Sequence, residues 1–197
     1  MKRAVHTEEY EARRAVDRSG SLPVSDMAPT GLAVRLDVRV SDLGPDGHVN
    51  NVAHLRLLDE ARSRLLGPGP AGRGGGILDV LGGRARLVIG QHVVEYRREV
   101  RPPVRSLLVR LWVPVLGSSS LALAAAIFED GYDDPAVVAE SGAVLLASGT
   151  GRPWPMDGAA REVLGRYTGP RPVFRGRVGL APGREHHGPV AAGRGSA

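Results

Sequence analysis

The chain has 197 residues, 42% hydrophobic and 24% charged, enough for one ordinary domain with a real core and terminal extensions. Its net charge of +5 sits in residues 166–197, where six Arg (166, 171, 175, 177, 184 and 194) face one Glu (185), and Tyr167 and Phe174 alone do not make the interleaved aromatics of a nucleic-acid stacking platform. The absence of cysteine excludes disulfides, thiolate nucleophiles and Cys-ligated zinc, and no apolar run approaches the roughly 18 residues of a bilayer span; the expectation is a cytoplasmic protein with neither membrane nor nucleic acid as partner.

Residues 1–31 read as an extension, with a short helix over Thr7–Arg18 followed by the turn-forming run SGSLPVSDMAPTG. LAVRLDVRV (32–40) alternates apolar with charged residues, the period of a strand with one buried face. After the turn SDLGPDGHV comes NNVAHLRLLDEARSRLL, a helix capped by Asn50 or Asn51 and stopped by Gly67-Pro68. At 100° per residue Ala53, Leu57, Leu58, Ala61, Leu65 and Leu66 gather on one side, and Arg56, Glu60, Ser63 and Arg64 on the other. PGPAGRGGGILDVLGG is a glycine-rich connection with a single turn around Ile77–Leu81. Four strand-like stretches follow, at 85–100, 104–117, 119–130 and 136–150, separated by Arg-Pro-Pro, Gly-Ser-Ser-Ser and Asp-Gly-Tyr-Asp-Asp-Pro. The order β-α-β-β-β-β with short connections implies an α+β architecture, an antiparallel sheet carrying one helix on one face, and not a parallel dinucleotide fold. Residues 157–197 read as a short helix, Gly158–Tyr167, and a disordered Gly/Pro/Arg-rich tail.

Familiar catalytic signatures are missing. GPGPAG (67–72) has the G-x-G-x-x-G form, but it follows a helix and carries two prolines, where a phosphate cradle needs a preceding strand and available N–H groups. Neither G-x-S-x-G, a Walker A motif nor H-E-x-x-H occurs, so a serine or zinc hydrolase has no support, and no metal or cofactor is expected.

VSDLGPDGHVNNVAHLRLLDEARSRLL resembles the strand-turn-helix signature of the hotdog-fold thioesterases, in the acyl-CoA branch related to 4-hydroxybenzoyl-CoA thioesterase; VVEYRREVRPPVRSLLVRLWV resembles the family's next strands and RPWPM its strand exit. The likeness covers roughly residues 32–156. It implies a sheet wrapped around a central helix, a homodimer or homotetramer, and an acyl-CoA or acyl-carrier-protein thioester held between subunits near the helix N-terminus. That location suits the chemistry, since the first helical N–H groups lack intrahelical partners and present positive charge to a developing oxyanion. Gly47, His48, Val49 and Asn50 are the matching oxyanion or substrate-binding positions, with the N–H of Asn50 the first choice. The family turn reads Asp-x-Asp-x-x-Gly-His; here Asp42 matches the first Asp, but Gly44 stands where the second, catalytic one belongs. Asp46, Asn51 and Asp59 are therefore the candidates for directing water. Each has a plainer role: Pro-Asp-Gly is good turn chemistry, an Asn caps the helix, and Asp59 pairs with Arg62. His54 is expected as a core histidine, while Arg97, Arg98 and Arg101 are positioned to meet CoA phosphates. The alternative to hydrolysis is a non-catalytic hotdog protein that binds acyl thioesters or scaffolds a partner.

Overall fold

The computed structural model describes residues 31–67 and 77–175; the helix expected at Thr7–Arg18, residues 68–76 and the tail past 175 lie outside the described residues. The elements are β1 (Leu32–Asp37), a 3-10 turn (Val40–Asp42), helix α1 (Asn51–Leu65), a second 3-10 turn (Ile77–Leu81), β2 (Ala85–Tyr96), β3 (Ser106–Leu116), β4 (Ser120–Phe128), β5 (Val137–Ala147) and helix α2 (Gly158–Gly165). They follow the expected order, but the strands end sooner than their apolar pattern does. β1 stops at Asp37 because Val40–Asp42 coils into a turn stapled by the Asp42 carboxylate on the Arg39 N–H at 2.8 Å. β2 stops at Tyr96, beyond which the N–H groups of Arg97 and Arg98 both turn to the carbonyl of Ala136.

The five strands form one antiparallel sheet in the order β1-β3-β4-β5-β2, so β1 and β2 are its edges. The inner face holds α1. Leu57, Leu58 and Ala61 of the helix pack with Leu36, Val109 and Ile127 of the strands, and Val49 and Val100 close the front of this cluster. A second cluster, around Leu66, Leu81, Leu123, Leu145 and Leu164, fills the far end under α2. Truncating a fully buried leucine such as Leu57 is expected to cost about 2–5 kcal/mol.

The outer face is not open to water. β4 is buried along almost its whole length because its two rows pack on different layers: Leu121, Leu123, Ala125 and Ile127 inward, Ala124, Ala126 and Phe128 outward. The outward layer is covered by residues 166–175, which from residue 168 on the composition assigns to a disordered tail. This strap first pairs beside β3, where Val113 N–H donates to Tyr167 at 2.8 Å and Gly169 N–H returns to Val113. It then crosses the sheet. Trp112 Nε1–H donates to the Pro170 carbonyl at 2.6 Å, Phe174 joins the apolar layer of Trp112 and Phe128, and Arg175 N–H reaches the Glu95 carboxylate on β2 at 2.6 Å. Tertiary docking of Pro170 and Phe174, which composition does not register, orders this segment.

Candidate active site

The turn before α1 is a closed, self-bonded loop. Leu43 bridges Val49; Gly44 N–H donates to the His48 carbonyl at 2.7 Å, and Gly47, at φ +74°, donates to Gly44 at 3.0 Å. Asp42 anchors it. Its carboxylate accepts Arg39 N–H and a two-pronged contact from Arg56 (Nη2 2.7 Å, Nε 3.2 Å), while its carbonyl accepts Asn50 N–H at 2.9 Å. Burial pushes the Asp42 carboxyl up, but the Arg39 hydrogen bond and the bonds and charge of Arg56 outweigh it and hold the group below its ordinary value. Arg56 continues to Glu60 at 2.7 Å, and Glu60 to Arg64, along the wet side of α1. Asp42 is thus a structural anion.

Asn50 is the helix cap, its Oδ1 accepting Ala53 N–H at 2.8 Å. Its own N–H, the first choice for an oxyanion donor, is taken by Asp42, as Val49 N–H is taken by Val100 at 2.8 Å and Gly47 N–H by Gly44. The expectation is corrected for those three amides, which close the loop, whereas no described residue accepts the N–H of His48 or those of Asn51 and Val52 in the exposed first turn of α1. Tyr96 of β2 leans onto this end, its hydroxyl donating to the Asn51 carbonyl at 3.1 Å, with its ring 5.8 Å from His54. His54 is a core residue as expected: burial lowers its pKa, Nδ1 lies 3.1 Å from the Asn50 carbonyl, and Nε2 is buried without a partner. His48 flanks Gly44 and carries an unpartnered, buried Nδ1.

Asp46 sits exposed at the loop tip; Arg101 reaches its carbonyl at 3.1 Å, and no described residue engages its carboxylate. A Cβ built at Gly44 would meet nothing closer than 3.6 Å, so the room for the missing family carboxylate is still there. Of the three arginines considered for phosphates, Arg97 pairs with Glu95, Arg98 pairs with Glu129 and stacks on Tyr132, and Arg101 pairs with Glu99.

Asp59 lies elsewhere. Eight residues of helical rise separate it from Asn51 by about 12 Å, so one chain does not bring the two to a common carbonyl. It pairs with Arg62 at 2.8 Å, as expected, on the wall of a cleft of about 730 Å³ lined by Arg62, Leu66, Leu78, Leu87 and Ile89. Arg62, nearly buried, also donates to Ser141 Oγ at 3.3 Å, and Ser141 Oγ lies 2.8 Å from His92 Nδ1. Burial, then the charge of Arg62, lowers the His92 pKa against an opposing pull from Asp59. Ser141, His92 and Tyr96 did not emerge from the sequence. A signal exists for one: Val137, Ala139, Ser141, Ala143 and Leu145 form the inward row of β5, and Ser141 is its lone polar member. Among the described residues no group of three His, Asp or Glu side chains is placed to hold a metal ion, and no helix is long and apolar enough to cross a membrane.

The model of the Thioesterase-like superfamily matches residues 38–164. No curated protein matches the sequence significantly. Among solved structures the chain is similar to a thioesterase from Thermus thermophilus complexed with coenzyme A and zinc, at 30% identity over 73% of this chain and 97% of that one, TM-score 0.56. It is also similar in fold to a 1,4-dihydroxy-2-naphthoyl-CoA thioesterase from Synechocystis (15% identity, 68% and 95% covered, TM-score 0.55) and to the 12:0-ACP thioesterase from Umbellularia californica (16%, 73% and 55%, TM-score 0.58). The antiparallel sheet around α1 is the hotdog fold, and with the match over residues 38–164 it places the chain in the Thioesterase-like superfamily, as an enzyme of the thioester hydrolase class.

Proposed function

We propose that the protein hydrolyses an acyl-CoA or acyl-carrier-protein thioester to free acid and thiol, at a site that two copies build together along the open edge of β2. One observation carries this reading: the unpartnered amides of Asn51 and Val52 and the cleft beside Asp59 are two halves of a site, about 12 Å apart on one helix. A two-fold axis near the middle of β2 pairs the edges antiparallel and sets the two α1 helices antiparallel on the same face. The front of one helix then faces the Asp59 region of the other. The helix-end N–H groups bind the carbonyl oxygen as it gains charge. The cleft takes the acyl group, and its volume is in the range of small-ligand pockets. Asp59 of one copy and the Asn51 side chain of the other hold the attacking water, Asp46 adds a second carboxylate at the rim, and Gly47, His48, Val49 and Asn50 form the loop along which the thioester lies. The Thermus relative's coenzyme A complex supports a CoA headgroup, and the likeness to an acyl-carrier-protein thioesterase keeps the carrier protein beside it.

Gly44 favours a second reading, a non-catalytic hotdog protein that binds acyl thioesters or scaffolds a partner, because the family carboxylate is missing there. Thiol release from a panel of acyl-CoA and acyl-carrier-protein thioesters separates the two. Hydrolysis above buffer is expected, with Asp59→Asn lowering kcat/KM about 10–100-fold, the loss of a water contact to a charged group, and Asp46→Asn lowering it less. Acyl-CoA binding without turnover selects the second reading, and a monomer in sedimentation sinks the shared site.

A further inference from the structure

Resting on that reading, we propose that His92 is the general base of the thioesterase site, with Ser141 and Arg62 as its positioning residues. β2 and β5 are paired with His92 directly opposite Ser141, on the inward rows that otherwise carry Val94, Ile89 and Leu87 on one strand and Ala139, Ala143 and Leu145 on the other. An apolar pair here would continue the core. Instead a hydroxyl 4% exposed is buried between a guanidinium and an imidazole, an arrangement that costs desolvation unless each partner is used.

Arg62 only donates, so one lone pair of Ser141 Oγ is occupied at 3.3 Å. Ser141 Oγ, 2.8 Å from Nδ1, accepts from an Nδ1–H tautomer and donates to an Nε2–H one; the proposal takes the first. That tautomer leaves the lone pair on Nε2. His92 is an exposed residue of the edge strand, and no described residue bonds Nε2. The charged groups facing the ring are Arg62 and Asp59 from α1, while β5 presents the neutral Ser141. Arg62 links the ring to Asp59, so the imidazole stands at the wall against which the second copy's helix front is set.

The step balances without any further reagent. Water attacks the thioester carbonyl and gives its proton to Nε2 as the C–O bond forms; the oxyanion rests on the Asn51 and Val52 amides of the second copy. The C–S bond then breaks, and the imidazolium returns the proton to the departing thiolate, leaving acid and thiol. An imidazole suits this better than Asp59, because a base that titrates near the working pH transfers protons more effectively than a carboxylate held against a guanidinium.

The test measures kcat/KM against pH for the full-length protein and for His92→Gln and Ser141→Ala. The wild-type rate should fall on the acid side through a limb lying below the ordinary imidazole value. His92→Gln should lose about 10²–10⁴-fold at neutral pH together with that limb. Ser141→Ala should keep the limb, move it, and lower kcat with little change in KM. Hydrolysis by a folded His92→Gln at the wild-type rate, with the same limb, overturns His92 and leaves the thioesterase reading standing. Nitrogen-resolved NMR of wild-type His92 decides independently of turnover. The proposal requires the Nδ1–H tautomer and a shift of the ring signals when a non-hydrolysable acyl-CoA thioether binds; an Nε2–H tautomer, or no response to the bound analogue, overturns it.

Discussion

The front and the middle of α1 use their polar groups in opposite ways. At the front, Asp42 holds Arg56 and the Asn50 N–H, the amides of Gly47 and Val49 are taken by Gly44 and Val100, and the first-turn N–H groups of Asn51 and Val52 have no partner among the described residues. At the middle, Asp59, Arg62, Ser141 and His92 form a chain of contacts that leads outward, to an exposed carboxylate and an edge-strand imidazole beside a cleft. The front is a rigid frame that holds two donors still. The middle is the half with groups able to accept a proton. The proposed site uses both, one half from each of two copies.

The contrast is broken most directly by removing the frame. Asp42→Ala leaves Arg56 and the Arg39 N–H without their anion, and denaturant unfolding should show a loss of about 3 kcal/mol, whereas Asp59→Asn should leave stability within about 0.5 kcal/mol and change only turnover. Because the folded Asp42 carboxyl titrates below its unfolded value, its contribution is fully present above the ordinary carboxylate range and is lost as pH falls through the folded value. Asp42→Asn should flatten that part of the stability-pH curve. Next in size, Asn50→Ala removes the cap and should cost about 1 kcal/mol, with a larger effect on kcat than on KM if the cap fixes the two donors. The smallest stability change belongs to Gly44→Asp, within about 0.5 kcal/mol, because the new Cβ meets only ordinary contacts. Its turnover should rise; an unchanged rate would show that a carboxylate at this position adds nothing to the proposed site.

Much of this was legible in the residues. The alternation of LAVRLDVRV, the packed side of the helix and the Asn-Asn start predicted β1, the buried Ala53, Leu57, Leu58 and Ala61, and a cap at Asn50 or Asn51, of which the structure uses Asn50. Local signals of this kind are set by neighbours within a turn or two. The choice of Asn50 as the oxyanion donor failed because the bond that occupies its N–H comes from Asp42, eight residues back across a loop. Ser141 and His92 meet only through strand register, 49 residues apart, and neither carries a motif. Pro170 and Phe174 lie in a stretch whose composition matches an unstructured tail, and their order comes from Trp112 and the small residues of β4.

The crossing of residues 166–175 also limits how the molecule can multiply. Ala124 and Ala126, too small to grip a neighbour, are sheathed by the same polypeptide, with Trp112 locked onto Pro170. Stacking two sheets back to back over Ala124 and Ala126 would require peeling that sheath away.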